Sequence, residues 1–167
     1  MRDRIWTELT QAKFNVEFAA LYSNRQRTLL RYFNIFVLIF STGGAMGWKY
    51  WDNFPLVACI LIGIVSLLRH LQPQLIMSES QIIKLDTISK FYFEFYNKLE
   101  RLWYDSEDKS ISPDQIKVEF FKIKDSESEI NGITDEIIKS RPKKLVKKAK
   151  EYSDKYFKLS FKTSNNG

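Results

Sequence analysis

Residues 29–48 read LLRYFNIFVLIFSTGGAMGW, and residues 50–68 read YWDNFPLVACILIGIVSLL. Arg31 is the one charged residue in the first stretch and Asp52 the one in the second. A helix rises about 1.5 Å per residue, so crossing a bilayer core takes roughly 20 mostly apolar residues. Both stretches reach the lower end of that requirement once their aromatic ends are included. A small soluble domain has little room to bury two adjacent helices that are apolar on every side. The expectation is a two-helix transmembrane hairpin. A buried central hairpin in a soluble helical domain is the alternative.

The surroundings of the two stretches favour the membrane. Trp48, Tyr50 and Trp51 cluster in the short connection, where an interfacial aromatic belt would lie. Asp52, Asn53 and Pro55 supply turn chemistry and a proline at an early helical position. Arg25, Arg27 and Arg31 precede or open the first stretch, Arg69 and His70 follow the second, and the tip has only Lys49 beside Asp52. The positive-inside rule then places both termini in the cytoplasm. The first stretch begins about thirty residues into the chain and a second follows at once, which is a poor match to a signal peptide.

Inside the hairpin, Ser41, Thr42, Gly43 and Gly47 form a small-residue patch with a GxxxG pair. Cys59, Gly63 and Ser66 share one face of the second stretch. Small residues at such spacing let helices approach closely. Asn34 and Ser41 lie seven apart on one side of the first stretch, and a polar group in lipid needs a partner or water. Asn34, Ser41, Thr42, Gly43, Gly47, Gly63 and Ser66 are therefore candidates either for packing within the hairpin or for lining a polar pathway between copies. Two helices cannot enclose a pore, so conduction requires an oligomer.

The flanking regions read as helices. Residues 2–28 lack Pro and Gly, and Ile5, Leu9, Ala12, Val16 and Ala19 recur at three-and-four spacing, with Phe14, Phe18 and Leu21 as a second stripe. Such a helix packs between others or lies in a membrane interface. Pro73 predicts a bend after the second stretch. Beyond it, Leu85, Ile88, Tyr92, Phe95, Leu99 and Leu102 occupy heptad a and d positions. That seam calls for another helix, from the same chain or a copy, and the expectation is an oligomer seam in a helical bundle. Ser112-Pro113-Asp114-Gln115 is a helix start with a capping box, and Asn131-Gly132 predicts that helix's end. A turn over Thr134–Lys139 leads to Pro142, after which Leu145, Ala149, Tyr152, Tyr156 and Leu159 mark the apolar face of a last helix.

The chain thus reads as all-α in three parts: an amphipathic cytoplasmic helix over 1–28, the hairpin over 29–72 and a cytoplasmic helical region over 73–167. Composition narrows the function. One Cys among 167 residues rules out an intramolecular disulfide framework and a Cys-rich metal site, and one His leaves little for zinc sites or Ser-His-Asp chemistry. There is no P-loop, dinucleotide fingerprint, HExxH or nucleophile elbow. Asp105-Ser106-Glu107-Asp108 lacks EF-hand spacing and reads as a polar loop. No enzyme, cofactor or metal is expected. The net charge of +6 is concentrated over residues 139–162, where lysines dominate. That run suits anionic lipid first, or a solvated face. Nucleic acid is disfavoured because no recognised module surrounds it.

The layout resembles the SLATT family, the SMODS- and SLOG-associating two-transmembrane effector domains of prokaryotic conflict systems. Ile5-Trp6 with Ala12-Lys13 and Asn15, the run RQRTLLRYFN over 25–34, the patch Ser41–Gly47 and LERLWYD over 99–105 carry the resemblance. It implies an inner-membrane, multi-pass antiviral-defence effector that homo-oligomerises to form a pore or perturb the membrane. The implied signal comes from a nucleotide second-messenger synthase or sensor protein. The rival expectation is a non-conducting membrane scaffold that anchors a soluble signalling partner.

Overall fold

The computed structural model describes residues 1–46 and 55–161, and every regular element among them is a helix. In chain order they are α1 (Arg2–Met46), α2 (Pro55–Leu75), α3 (Glu79–Glu107), α4 (Pro113–Ile137) and α5 (Lys143–Ser160). The all-α expectation therefore holds. The chain divides into two compact units: residues 1–23 with 83–167, and residues 24–82.

The first unit is a helical bundle with a dense core. α1 has neither Pro nor Gly before Gly43, so nothing interrupts it from its first turn. Its expected inner stripe is the observed one: Ile5, Leu9, Ala12 and Ala19 are buried, and Val16 packs against the core half-buried. Opposite it, α3 brings Phe95, Tyr96, Leu99 and Leu102, and α4 brings the fully buried Phe120. Trp6 anchors an aromatic cluster, with ring centroids 4.9 Å from Trp103, 5.2 Å from Phe157 and 5.1 Å from Phe161. Such rings combine a large buried area with tilted and edge-on contacts.

The helix ends are chemically specified. Ser112 caps α4, its hydroxyl accepting from the Gln115 amide at 3.3 Å while Gln115 Oε1 accepts from the Ser112 amide at 3.0 Å. The same reciprocal pair, Ser78 with Gln81, opens α3 at 3.3 and 3.0 Å. α3 ends through Lys109 at φ 51, with the Ser110 amide donating to the Asp105 carbonyl at 3.2 Å. This is the left-handed stop usually given to glycine.

Three helical expectations are corrected. α4 continues through Gly132 to Ile137, because buried Ile130, Thr134 and Ile137 hold one face against the bundle. The Thr134 hydroxyl also donates to the Ile130 carbonyl at 2.9 Å, where a turn was expected. α2 runs through Pro73 and breaks at residues 76–78. Pro73 cannot donate to the Arg69 carbonyl, and the helix ends two residues later at Leu75. In α5 the inward positions are Ala149 and Ser153, leaving Tyr152 and Leu159 exposed.

The transmembrane hairpin expected over 29–72 is also corrected. Among the described residues no helix is long and apolar enough to cross a membrane. In α1 the apolar run is interrupted by Arg31 and Asn34 and is described as far as Met46. In α2 it is described from Pro55 and meets Arg69 and His70. The expected connection, with Trp48, Lys49, Tyr50, Trp51, Asp52 and Asn53, lies outside the described residues.

Candidate functional site

Residues 24–82 carry most of the positions that the sequence singles out, and the structure exposes those it describes. Asn34 and Ser41 are exposed on α1, and Cys59, Gly63 and Ser66 are exposed on α2. A methyl group built on Gly63 would meet nothing within 4 Å, so this small-residue face is open rather than packed within the chain. The side chains of Thr42 and Gly43, and the whole of Gly47, lie outside the described residues. Around these positions the surface is apolar. Ile35, Phe36, Leu38, Ile39 and Phe40 are exposed on α1, and Ile60, Ile62, Ile64 and Leu67 on α2. Phe36 and Phe40, one turn apart, bring their ring centroids to 4.4 Å in a tilted arrangement.

The expected oligomer seam has a different fate. Leu85, Ile88, Tyr92, Phe95, Leu99 and Leu102 are all buried within the single chain. A periodic apolar face states that something must cover it, not whose helix does. Here α1 and α4 of the same chain contribute to that cover, so the seam offers nothing to a second copy and the assignment is corrected.

Polar side chains tie the bundle together at two places. Tyr96 donates to Glu100, Tyr156 Oη lies 3.0 Å from Tyr96 Oη, and Tyr156 also donates to Glu100 Oε1 at 3.0 Å. Lys13 places Nζ 4.1 Å from the centre of the Tyr156 ring and pairs with Glu17 at 3.0 Å. Burial raises the Tyr96 phenol far above its ordinary range, and the Glu100 and Tyr156 partners push the same way. The phenol keeps its proton, and the cluster acts as a clamp linking α1, α3 and α5. At the second place, Lys124 reaches Glu8 at 2.6 Å and Glu127 at 2.8 Å. Desolvation lowers the Lys124 pKa, but hydrogen bonds to both carboxylates outweigh it, and the net direction is upward.

Two further surfaces belong to the bundle. A groove of about 950 Å³ between α3 and α4 is lined by Glu94, Asp105 and Glu119 together with Lys98, Arg101 and Lys122. Its charges offset one another, so it presents no net field to a charged ligand. α5 turns Lys143, Lys144, Lys147, Lys148, Lys150, Lys155 and Lys158 to solvent, with Glu151 and Asp154 among them. Among the described residues, no group of three His, Cys, Asp or Glu side chains stands close enough to hold a metal ion. The sequence reading missed the Tyr96–Glu100–Tyr156 clamp, whose only linear signal is the i,i+4 pair Tyr96 and Glu100.

Comparison of the chain with family models, with characterised proteins and with solved structures finds no match.

Proposed function

We propose that the chain is a helical effector that acts on a lipid membrane as a homo-oligomer, through residues 24–82. One observation carries this reading. From Asn24 to Ser41 and from Cys59 to Gln72 no residue is buried, although these stretches include the exposed Ile35, Phe36, Leu38, Ile39, Phe40, Ile60, Ile62, Ile64 and Leu67. Soluble monomers rarely expose contiguous apolar surface on this scale, and acyl chains or further copies are what such a surface takes.

The open face at Gly63 and Ser66 allows close approach between helices of different copies. Pore formation or perturbation of the inner membrane is the mode that the resemblance to the SLATT family implies. The trigger it implies is a nucleotide-linked signal relayed by a synthase or sensor partner.

Sedimentation with membranes and dye release from liposomes test this. The expected outcome is that the protein pellets with lipid and releases dye with a steep dependence on protein concentration. The double variant Ile62→Gln/Leu67→Gln is expected to abolish release while leaving the bundle folded. A chain that stays monodisperse in detergent-free buffer and leaves liposomes sealed under all triggering conditions overturns the reading. Activity that survives exchange of α2 for an unrelated apolar helix points instead to the scaffold.

A further inference from the structure

We infer that the outer face of α5 is a docking surface for an anionic lipid bilayer, distinct from the apolar residues of 24–82. The helix has 18 residues and is about 27 Å long. Ala149 and Ser153 turn inward, so the opposite face is set for solvent along the whole length. On that face Lys144, Lys148 and Lys155 follow one another at helical spacing, and Tyr152 and Leu159 stand exposed on its flank. The Lys148 ammonium lies 5.5 Å from the centre of the Tyr152 ring. Glu151 and Asp154 lie among the lysines, and the Lys147–Glu151 contact is long, at 4.0 Å, with both side chains largely in solvent. Seven lysines against two carboxylates leave a strong positive excess on α5.

Charge complementarity names an anionic partner, and the neighbouring apolar groups narrow its class. A lysine is a compact point charge on an aliphatic stem, suited to headgroup phosphates, while exposed Leu and Tyr beside it suit the headgroup–acyl boundary. A straight helix with cations spread along its length matches a flat, uniformly charged sheet. Duplex nucleic acid would instead call for a groove-reading element and arginine forks, and α5 has no arginine. The inference rests on the membrane reading above in one respect, that a bilayer is the partner, but its residues lie in the bundle.

The test uses the full chain, vesicles of phosphatidylcholine alone and vesicles of phosphatidylcholine mixed with phosphatidylglycerol, with binding measured against salt. The wild type is expected to prefer the anionic vesicles, and the preference is expected to shrink as salt rises. Each lysine near an anionic surface contributes about a fivefold change in affinity, so Lys144→Gln/Lys148→Gln/Lys155→Gln is expected to weaken anionic binding about a hundredfold. The same triple change to Arg is expected to restore it, with circular dichroism unchanged throughout. Equal binding of wild type and Gln variant to anionic vesicles overturns the inference. So does lysine-dependent binding that goes to a DNA duplex and not to vesicles. Lysine-dependent anionic binding with no binding to neutral vesicles upholds the α5 surface and overturns insertion through residues 24–82.

Discussion

Phe120 and Leu67 are both large apolar side chains on long helices of one chain, yet Phe120 is fully buried while Leu67 is 59% exposed. The difference lies in how their neighbours are arranged around the helix. On α3 and α4 the buried residues, Leu85 to Leu102 and Phe120, keep to one stripe that the bundle covers, with charges such as Glu94, Lys98, Lys117 and Glu119 on the other side, although Ile83, Phe93 and Val118 stand exposed. On α2 every direction from Ile60 to Leu68 carries an apolar group or a small one, and packing against a single neighbouring helix does not cover all of them. The bundle satisfies itself; residues 24–82 as described do not.

The largest expected effect tests that contrast directly. Phe120→Ala removes a ring from the centre of the core and is expected to cost about 3–5 kcal/mol, read as a fall in the urea midpoint of the bundle. Leu67→Ala is expected to move the same midpoint by no more than about 0.5 kcal/mol, while reducing association with lipid. A comparable loss of stability from Leu67→Ala would mean that residues 24–82 carry a core of their own, and the contrast would fail.

A second test is the alkaline stability of the bundle. Burial, then hydrogen bonding to Glu100 and Tyr156, raises the pKa of Tyr96 when the chain is folded. The unfolded phenol ionises near its ordinary value of about 10. Below that pH both states hold the proton and Tyr96 gives no pH dependence. Above it the unfolded state alone loses the proton, so stability falls by at most about 1.4 kcal/mol per pH unit. The Lys124 group works in the same sense, because its folded pKa is also raised and its pairing with Glu8 and Glu127 is lost as pH climbs through that value. Urea midpoints measured across alkaline pH are expected to decline for the wild type and to decline less steeply for Tyr96→Phe.

These contrasts show where the sequence is legible. Three-and-four spacing located the inner faces of α1 and α3, because a one-sided stripe has only one stable orientation in a bundle. It did not tell whether Leu85 to Leu102 would meet helices of the same chain or of a copy, since periodicity describes a face and not its occupant. On α5, Leu145, Ala149 and Tyr156 fit either of two stripes, and small Ser153, not Tyr152, faces inward. A composition-weighted stripe prefers the larger apolar residue, whereas close helix approach prefers the smaller. Gly132 read as a stop because its local propensity is poor, but burial of Ile130, Thr134 and Ile137 outweighs that propensity and carries the helix past it. The exposed positions Asn34, Ser41, Gly63 and Ser66 were legible as unusual by residue type alone. Whether they pack between copies depends on partners that a single chain does not contain.

The smallest effect separates the two regions through one kind of residue. Gly132 on α4 and Gly63 on α2 are both helical, and a Cβ at either meets nothing within 4 Å. Replacing a helical glycine by alanine removes backbone freedom from the unfolded chain without a clash. Gly132→Ala is therefore expected to stabilise the bundle by about 0.5–1 kcal/mol, a rise in its urea midpoint with no change in lipid binding. Gly63 answers to a different readout. Gly63→Ala keeps a small surface and is expected to leave copy-to-copy approach nearly intact. Gly63→Leu fills the open face and is expected to lower the oligomer size measured in detergent, with the bundle midpoint unchanged. If Gly63→Leu shifts the midpoint and spares the oligomer, that face is part of the chain's own packing, and the division between a self-satisfied bundle and an apolar surface awaiting lipid or copies no longer describes the molecule.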